Sequence, residues 1–299
     1  MSHVPLINDA SDAPPRLAVY LNLGTLDALP AWSDAPRASG PELMAAIREA
    51  GFEGVQGGDA ATARDAGLHA AAGGRLNDPG DLPALRDRVK AHRDAGCLAT
   101  TLHVGWGMEN DPTLDRLVDG VIETALALDH PLYIETHRAT ITQDLWRCAE
   151  LTRRRPGVRF NADFSHWYTG LEMPYGDFDA KLDFLQPVFD RCGFMHGRIG
   201  NSGCIQVDVA GPLDDALRLP HVAHFVEMWT RTFAGFLRHA GPGDVLPFAP
   251  ELLKPEINYA RVFPGPDGQP REEGDRWEQA LLYAELARHA FDRARRRAP

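Results

Sequence analysis

Four short apolar runs in the second half of the sequence each finish on a side chain that can ligate a metal or move a proton. Leu132-Tyr133-Ile134 leads to Glu135, Phe160-Asn161-Ala162 to Asp163, Phe194-Met195 to His196, and Phe248-Ala249-Pro250 to Glu251. Three carboxylates packed together repel one another and are driven toward protonation unless a cation neutralises them. Hard oxygen donors with one imidazole suit Mn²⁺ or Mg²⁺, with Co²⁺, Fe²⁺ and Zn²⁺ as alternatives. Taken singly, each of these residues reads as a surface or salt-bridged group. Four successive runs ending this way point instead to one divalent metal held by Glu135, Asp163, His196 and Glu251, with a position left open for substrate oxygens.

Further polar and aromatic residues stand close by in sequence. His103 closes the run Thr101-Leu102-His103 and is read either as a proton shuttle or substrate donor or as a satisfied structural histidine. His137 and Arg138 follow Glu135, one to orient substrate and the other to ion-pair with a loop. Arg198 is the best anchor for a carboxylate or phosphate, since a guanidinium binds such groups bidentately, and equally reads as a rim salt bridge. Trp32, Trp106, Trp167 and Tyr168 lie in or beside the same loops, where rings either stack on a sugar or simply pack. Lys254 is read as a solvated loop lysine. Gly57-Gly58 and Gly73-Gly74 lack nucleotide-loop spacing and are explained by tight turns or close approach to a ligand.

Such residues need a scaffold that gathers strand ends. Eight apolar runs alternate with amphipathic stretches: Leu17–Leu23, Glu53–Gly57, His69–Gly73, Ala99–Gly105, Pro131–Thr136, Val158–Asp163, Gly193–Ile199 and Val245–Glu251. Eight is the number a closed parallel α/β barrel requires, and about 250 residues is its usual size. The expected fold is a single-domain (β/α)₈ TIM barrel over residues 17–299, behind a flexible N-terminal segment, 1–16. The second and third runs are rich in Ala and Gly, so irregularity is expected there. Between Pro79 and Ala95, Leu82, Leu85 and Val89 recur at helical spacing, with Asp78 as cap and Gly96 as stop. Thr142 reads as the cap of a helix that stops at Pro156-Gly157. The last helix carries Trp277, Leu281, Ala284, Ala287 and Phe291 on one stripe. Helix-to-strand joints are short, whereas the strand-to-helix stretches Gly24–Ala38, Gly200–Leu219 and Leu252–Gly274 are long, as on the working face of a barrel.

Composition narrows the function further. The 299 residues are 44% hydrophobic and carry 31 Lys+Arg against 42 Asp+Glu, a net charge of −11. That field opposes a nucleic-acid partner, and the basic runs Arg153–Arg155 and Arg295–Arg297 fall at helix ends, where cations suit the dipole. Cys97, Cys148, Cys192 and Cys204 form no CxxC pair, so a reducing compartment is expected. No signal-peptide core or membrane-length apolar stretch is present, and the expectation is a cytoplasmic protein with no membrane partner. Surface aromatics are compatible with a homo-oligomer.

Glu135 after one strand, Asp163-x-x-His166 after the next, His196 on the next and Glu251 on the last resemble the xylose isomerase-like TIM barrels. That superfamily holds sugar isomerases and epimerases, inosose and dehydroshikimate dehydratases, and apurinic endonucleases of the endonuclease IV type. The resemblance implies that Glu135 and Glu251 are the catalytic acid/base pair as well as metal ligands, and that His166 binds substrate, alongside Arg198, His103, His137, Trp167 and Trp106. One spacing departs from the epimerases, whose Arg lies several residues past the strand-seven His; Arg198 follows His196 by two. The expected function is a divalent-metal-dependent isomerase or epimerase of a small carbohydrate or polyol, acting through a metal-stabilised enediolate. Alternatives are a dehydratase or lyase on a keto-sugar or cyclitol using the same site, an endonuclease IV-like phosphodiesterase, and a non-catalytic binding barrel. Against the endonuclease, the third strand ends without His and no Asp-x-His pair follows His196.

Overall fold

Strands covered on both faces read as continuous apolar runs rather than alternating ones, and all eight runs are strands in the computed structural model of the protein, which describes residues 3–297. They are β1 (Arg16–Asn22), β2 (Gly54–Gln56), β3 (His69–Leu76), β4 (Ala99–Val104), β5 (Leu132–Glu135), β6 (Phe160–Ala162), β7 (Cys192–Gly197) and β8 (Asp244–Pro250). Each pairs in parallel with the next, and β8 returns to β1 through the register Arg16↔Val245 to Val19↔Phe248. The sheet is therefore closed, a (β/α)₈ TIM barrel.

The surrounding helices are α1 (Gly40–Glu49), α2 (Ala60–Asp65), α3 (Leu82–Asp94), α4 (Asp111–Leu128), α5 (Leu145–Arg154), α6 (Ser165–Gly170), α7 (Phe178–Phe189), α8 (Leu213–Ala216), α9 (Pro220–His239) and α10 (Arg276–Arg297). Asp78 caps the 3₁₀ turn that leads into α3, and Gly96 ends the helix at φ +91°. Helix α9 joins the barrel to its last helix. Trp229 meets Phe248 of β8 edge-on at 4.8 Å between centroids, and Phe233 meets Phe291 of α10 at 5.5 Å. On α10, Trp277, Ala284, Ala287 and Phe291 are buried, and Leu281 is partly so.

Several expectations need correction. Strand β3 is the longest of the eight, pairing over Ala71–Leu76 with β4 and over His69–Ala71 with β2; the register irregularity lies instead between β6 and β7, at Phe160/Asn161. The cap of α5 is Asp144, whose side chain accepts from Arg147 N. Thr142 is engaged elsewhere: its hydroxyl donates to Glu135 O at 2.6 Å and accepts from His137 N at 3.0 Å, holding the backbone just past β5. Nor are residues 3–16 a loose leader. Ile7–Asn8 adds antiparallel to the start of β8, Val4 and Ile7 are buried, Arg159 Nε donates to Val4 O and Tyr133 OH to Pro5 O. This segment plugs the N-terminal mouth of the barrel; Met1 and Ser2 lie outside the described residues.

The opposite, C-terminal face carries the long connections 23–39, 198–212 and 251–275, the last containing the hairpin Val262–Pro264/Pro270–Glu272. Cys97, Cys148, Cys192 and Cys204 are all unpaired. Among the described residues no helix is long and apolar enough to cross a membrane.

Candidate metal and active site

Parallel neighbours in a barrel bring the C-terminal ends of adjacent strands to one rim. Glu135 is the last residue of β5, Asp163 follows β6, His196 lies in β7 and Glu251 follows β8. One donor atom from each of the four lies within 4.8 Å of the others. His196 Nδ1 is 3.2 Å from Glu251 Oε2 and 3.4 Å from Glu135 Oε2. Glu135, Asp163 and His196 are buried, and Glu251 is nearly so.

Strands on the far side of the barrel orient this group. His196 Nε2 donates to Gln56 Oε1 at 2.6 Å, while Gln56 Nε2 donates to Thr101 Oγ1 at 2.8 Å. With the amide held in that sense, its oxygen can only accept, so the imidazole carries a proton on Nε2 and turns Nδ1 to the two glutamates. Asn22 Nδ2 donates to Gln56 Oε1 at 3.0 Å and to Glu251 Oε1 at 2.9 Å; Asn161 Nδ2 donates to Glu135 Oε2 at 3.0 Å. None of these four residues was singled out from the sequence. Their one signal there is a polar side chain inside or at the end of an otherwise apolar strand.

Arg198 is an internal counter-ion rather than an open anchor. It is 1% exposed, its Nε donates to Glu251 O at 2.9 Å, its Nη2 pairs with Glu251 Oε2, and its Nη1 lies 3.4 Å from Asp163 Oδ2. The Tyr259 ring covers it at 4.4 Å. A guanidinium only two residues past His196 points back under the rim, which is why the short spacing buries it.

Electrostatics follow from this packing. Burial disfavours ionised Asp163, but Arg198 and then His166 hold its carboxyl well below the usual range. Burial likewise opposes charge on Glu135 and Glu251, yet His196 holds both low, with His103 helping Glu135 and Arg198 helping Glu251. The imidazole of His196, penalised by burial, is raised well above its ordinary value by Glu251 and Glu135.

The residues fit a divalent cation. Without one, two carboxylates converge on a ring nitrogen that must keep a proton. Asp163 Oδ2 and both ring nitrogens of His166 are buried with no hydrogen-bond partner. Unsatisfied buried polar atoms of this kind are rare and call for an explanation, and three carboxylate donors with one imidazole are a normal set for Mn²⁺ or Mg²⁺.

Beside these donors lies a cavity of about 380 Å³ whose lining includes Gly58, Gly73, His103, Glu135, His196 and Glu251. A Cβ on Gly73 would meet nothing within 4 Å, so that glycine leaves room rather than making a turn. Three imidazoles follow one another inward from the cavity wall, which His103 lines: His103 and His137 at 4.2 Å between centroids, His137 and His166 at 3.9 Å, both pairs tilted. His103 Nε2 is 3.2 Å from Glu135 Oε1, and that contact raises its pKa despite burial. His137 is pushed down to about 3, by burial and then by His166; one ring nitrogen bonds the carbonyl of Arg138.

Other expected substrate contacts sit elsewhere. His166 has no exposed side-chain surface and lies 3.4 Å from Asp163 Oδ2, behind His137. Trp167 is a core residue whose Nε1 donates to Thr142 O at 2.7 Å, and Tyr168 is buried with its hydroxyl on His224 Nδ1. Trp106 is 53% exposed beneath Arg75, and Trp32 lines a separate cleft of about 610 Å³ between the hairpin and α10. Lys254 pairs with Asp27 at 2.5 Å rather than reaching the site. Trp167 is buried together with the whole first turn of α6, Ser165 to Tyr168.

No protein-family model matches the sequence, and no curated protein matches it. Solved structures do match in shape. A probable 3-DHS dehydratase, AsbF, from Bacillus anthracis superposes with a TM-score of 0.53 at 13% identity, over 90% of this chain and 97% of that one. A D-tagatose 3-epimerase-like protein gives 0.51 at 11% identity, over 91% and 98%. A xylose isomerase-like TIM barrel protein from Mycobacterium smegmatis, in complex with magnesium, gives 0.51 at 12% identity, over 98% of both chains. The fold that this chain shares with these solved structures is the (β/α)₈ TIM barrel. At these identities the likeness concerns the fold alone; what this barrel does with its rim has to be argued from the rim's own residues.

Proposed function

We propose that the protein is a divalent-metal-dependent isomerase or epimerase of a small carbohydrate or polyol. The observation that carries this reading is the convergence of Glu135, Asp163, His196 and Glu251 donors within 4.8 Å beside a cavity of about 380 Å³. Glu135 and Glu251 are the acid/base pair, and all four residues hold the ion, with Mn²⁺ or Mg²⁺ the best match to the donor set. A divalent ion held there supplies Lewis acidity, lowering the cost of negative charge on a substrate oxygen when the adjacent carbon loses its proton.

The chain's own residues do the rest. Glu135 and Glu251 both approach His196 Nδ1, at 3.4 and 3.2 Å, so one carboxylate can take a proton and the other return it. Their surroundings differ. Glu251 is tied by Asn22 and Arg198, whereas Glu135 Oε1 faces His103, which lines the cavity. Glu135 is thus the better base, with His103 able to relay its proton outward. Gln56 and Asn161 keep His196 and Glu135 aimed, while Arg198 and His166 act through Asp163 and Glu251 from below.

The same His103–Glu135 contact favours one second reading, a dehydratase: a base and an acid 3.2 Å apart suit loss of a proton and of a neighbouring hydroxyl from one side of the substrate.

The test is exchange of carbon-bound hydrogen in D₂O across a panel of aldoses, ketoses and cyclitols, with metal content measured on the same samples. Glu135→Gln is expected to lower exchange by at least about 100-fold, the usual scale for a lost general base, and Glu251→Gln to lower both exchange and metal retention. Unchanged metal content and exchange in Glu251→Gln would overturn the reading.

A further inference from the structure

We infer that the cleft of about 610 Å³ between the hairpin and α10 binds a linear diamine, an alkyl chain with an ammonium group at each end, through Asp208, Glu278 and Gln279. This site is independent of the metal ligands at the rim and does not rest on the proposed function.

The charges of the wall carry the inference. Five carboxylates line the cleft: Asp208, Glu272, Glu273, Asp275 and Glu278. Three of them have partners. Glu272 accepts from Arg276 Nε at 2.9 Å, Glu273 accepts from Arg261 Nε at 2.8 Å, and Asp275 accepts from Ser33 Oγ, Asp34 N and Trp277 N. The ion pairs here go to Glu272 and Glu273; among the described residues none goes to Asp208 or Glu278. Arg271, in the same wall, lies over the Trp32 ring at 4.4 Å rather than on either free carboxylate. The field is felt at Asp208, whose carboxyl is pushed up to about 6 by burial and then by the charges of Glu273 and Glu278. A cation placed among such like charges favours their ionised forms and is held by them in turn.

An orphaned acceptor points the same way. Gln279 is 5% exposed, lines the cleft, and its Oε1 is buried without a hydrogen-bond partner. Its Nε2 faces Gly274: a Cβ there would stand 3.0 Å from Gln279 Nε2 and 2.0 Å from Asp208 Oδ1, so the missing side chain lets the amide and the carboxylate close on one stretch of backbone. Two ionised carboxylates and an amide oxygen can only accept, which matches ammonium groups, each with three donors and no acceptor. Size and shape set this ligand apart from a metal ion. Among the described residues, the carboxylates of this wall are not gathered closely enough to hold one ion, unlike those at the rim. The cleft is larger than the cavity at the rim, and Val209, Leu282 and Phe263 add apolar surface that suits methylene groups. Carboxylates spread over such a wall are met by a chain with a charge at each end.

The experiment titrates the full chain with diaminobutane in a calorimeter, in excess Mg²⁺ so that an inorganic cation competes throughout. Saturable binding of a single diamine per chain is expected. Butylamine, with one ammonium group, should bind at least about 10-fold more weakly, the scale of one lost charge-assisted hydrogen bond. Asp208→Asn and Glu278→Gln should each weaken the diamine by about the same factor. Neither variant is expected to lose binding by unfolding, since Asp208→Asn removes a charge that burial opposes and Glu278 is exposed; circular dichroism checks this. Absence of saturable diamine binding, equal affinities for the diamine and butylamine, or undiminished binding in both variants overturns the site. Each of these results leaves the proposed function standing, because metal content and hydrogen exchange at the rim are read separately.

Discussion

His196 donates through Nε2 to Gln56 Oε1 at 2.6 Å, from β7 across the barrel to β2. That bond sets the tautomer of the imidazole and turns Nδ1 toward Glu135 and Glu251. Partners of this kind typically change metal affinity by about 10–100-fold when removed. Gln56→Leu is therefore expected to weaken Mn²⁺ binding by that factor in calorimetric titration. Gln56→Glu, which keeps an acceptor in the same place, recovers most of it. Equal affinities for wild type and Gln56→Leu would show that the bond does not orient a ligand.

Arg198 compensates two buried carboxylates, Asp163 and Glu251. Removing one partner from a buried ion cluster typically costs about 3–5 kcal/mol, because the other charges are left without compensation. Arg198→Met should lower stability by that amount in urea denaturation of the metal-free protein. Saturating Mn²⁺ should restore part of the loss by supplying the missing positive charge. A variant as stable as wild type would mean that the carboxylates are neutralised in some other way.

Asp208, on the connection 198–212, offers a pH test outside the candidate ligand set. Burial, then the charges of Glu273 and Glu278, push its carboxyl up from 3.8 to about 6. A folded-state pKa raised above the unfolded one favours the protonated form, so its contribution to stability is present below about pH 4 and lost as pH rises through about 6. The full linkage would be about 3 kcal/mol, but the half-solvated group is screened, leaving about 1 kcal/mol. Asp208→Asn should thus raise the urea midpoint at pH 7 and leave it unchanged at pH 4. A shift of the same size at both values would show that the ionised carboxylate is not the cause.

The N-terminal plug makes a plain stability prediction. Ile7 is buried and pairs with Val245, and large-to-small changes at such positions cost about 2–5 kcal/mol. Ile7→Ala should fall at the lower end, since the mouth of a barrel can partly collapse. Were the segment a loose tail, the urea midpoint would not move.

The barrel was legible in the sequence because its strands are covered on both faces and so read as uninterrupted apolar runs; the eight runs coincide with the eight strands to within a few residues. The candidate ligands were legible for a related reason: an ionisable group ending such a run stands out, and parallel order makes the ends of β5 to β8 neighbours. Composition and periodicity by themselves thus determined the fold class and nominated Glu135, Asp163, His196 and Glu251. Other features depended on contacts between residues far apart in the chain. Gln56 and Asn22 lie 140 and 229 positions from His196 and Glu251, and an amide in a short strand carries no mark of the partner it will face. Arg198 read equally as a substrate anchor or a rim salt bridge until Tyr259 and two carboxylates closed over it. Trp167 read as a pocket wall until the whole first turn of α6 packed inside, with its indole on the Thr142 carbonyl. Residues 3–16 looked mobile because their composition is polar and Pro-rich, yet a barrel mouth offers apolar surface and free strand edge to whatever chain lies nearest. Local chemistry decides which side chains can ligate or titrate; only tertiary packing decides which way each one points and what neutralises it, because both depend on neighbours that the linear order does not bring together.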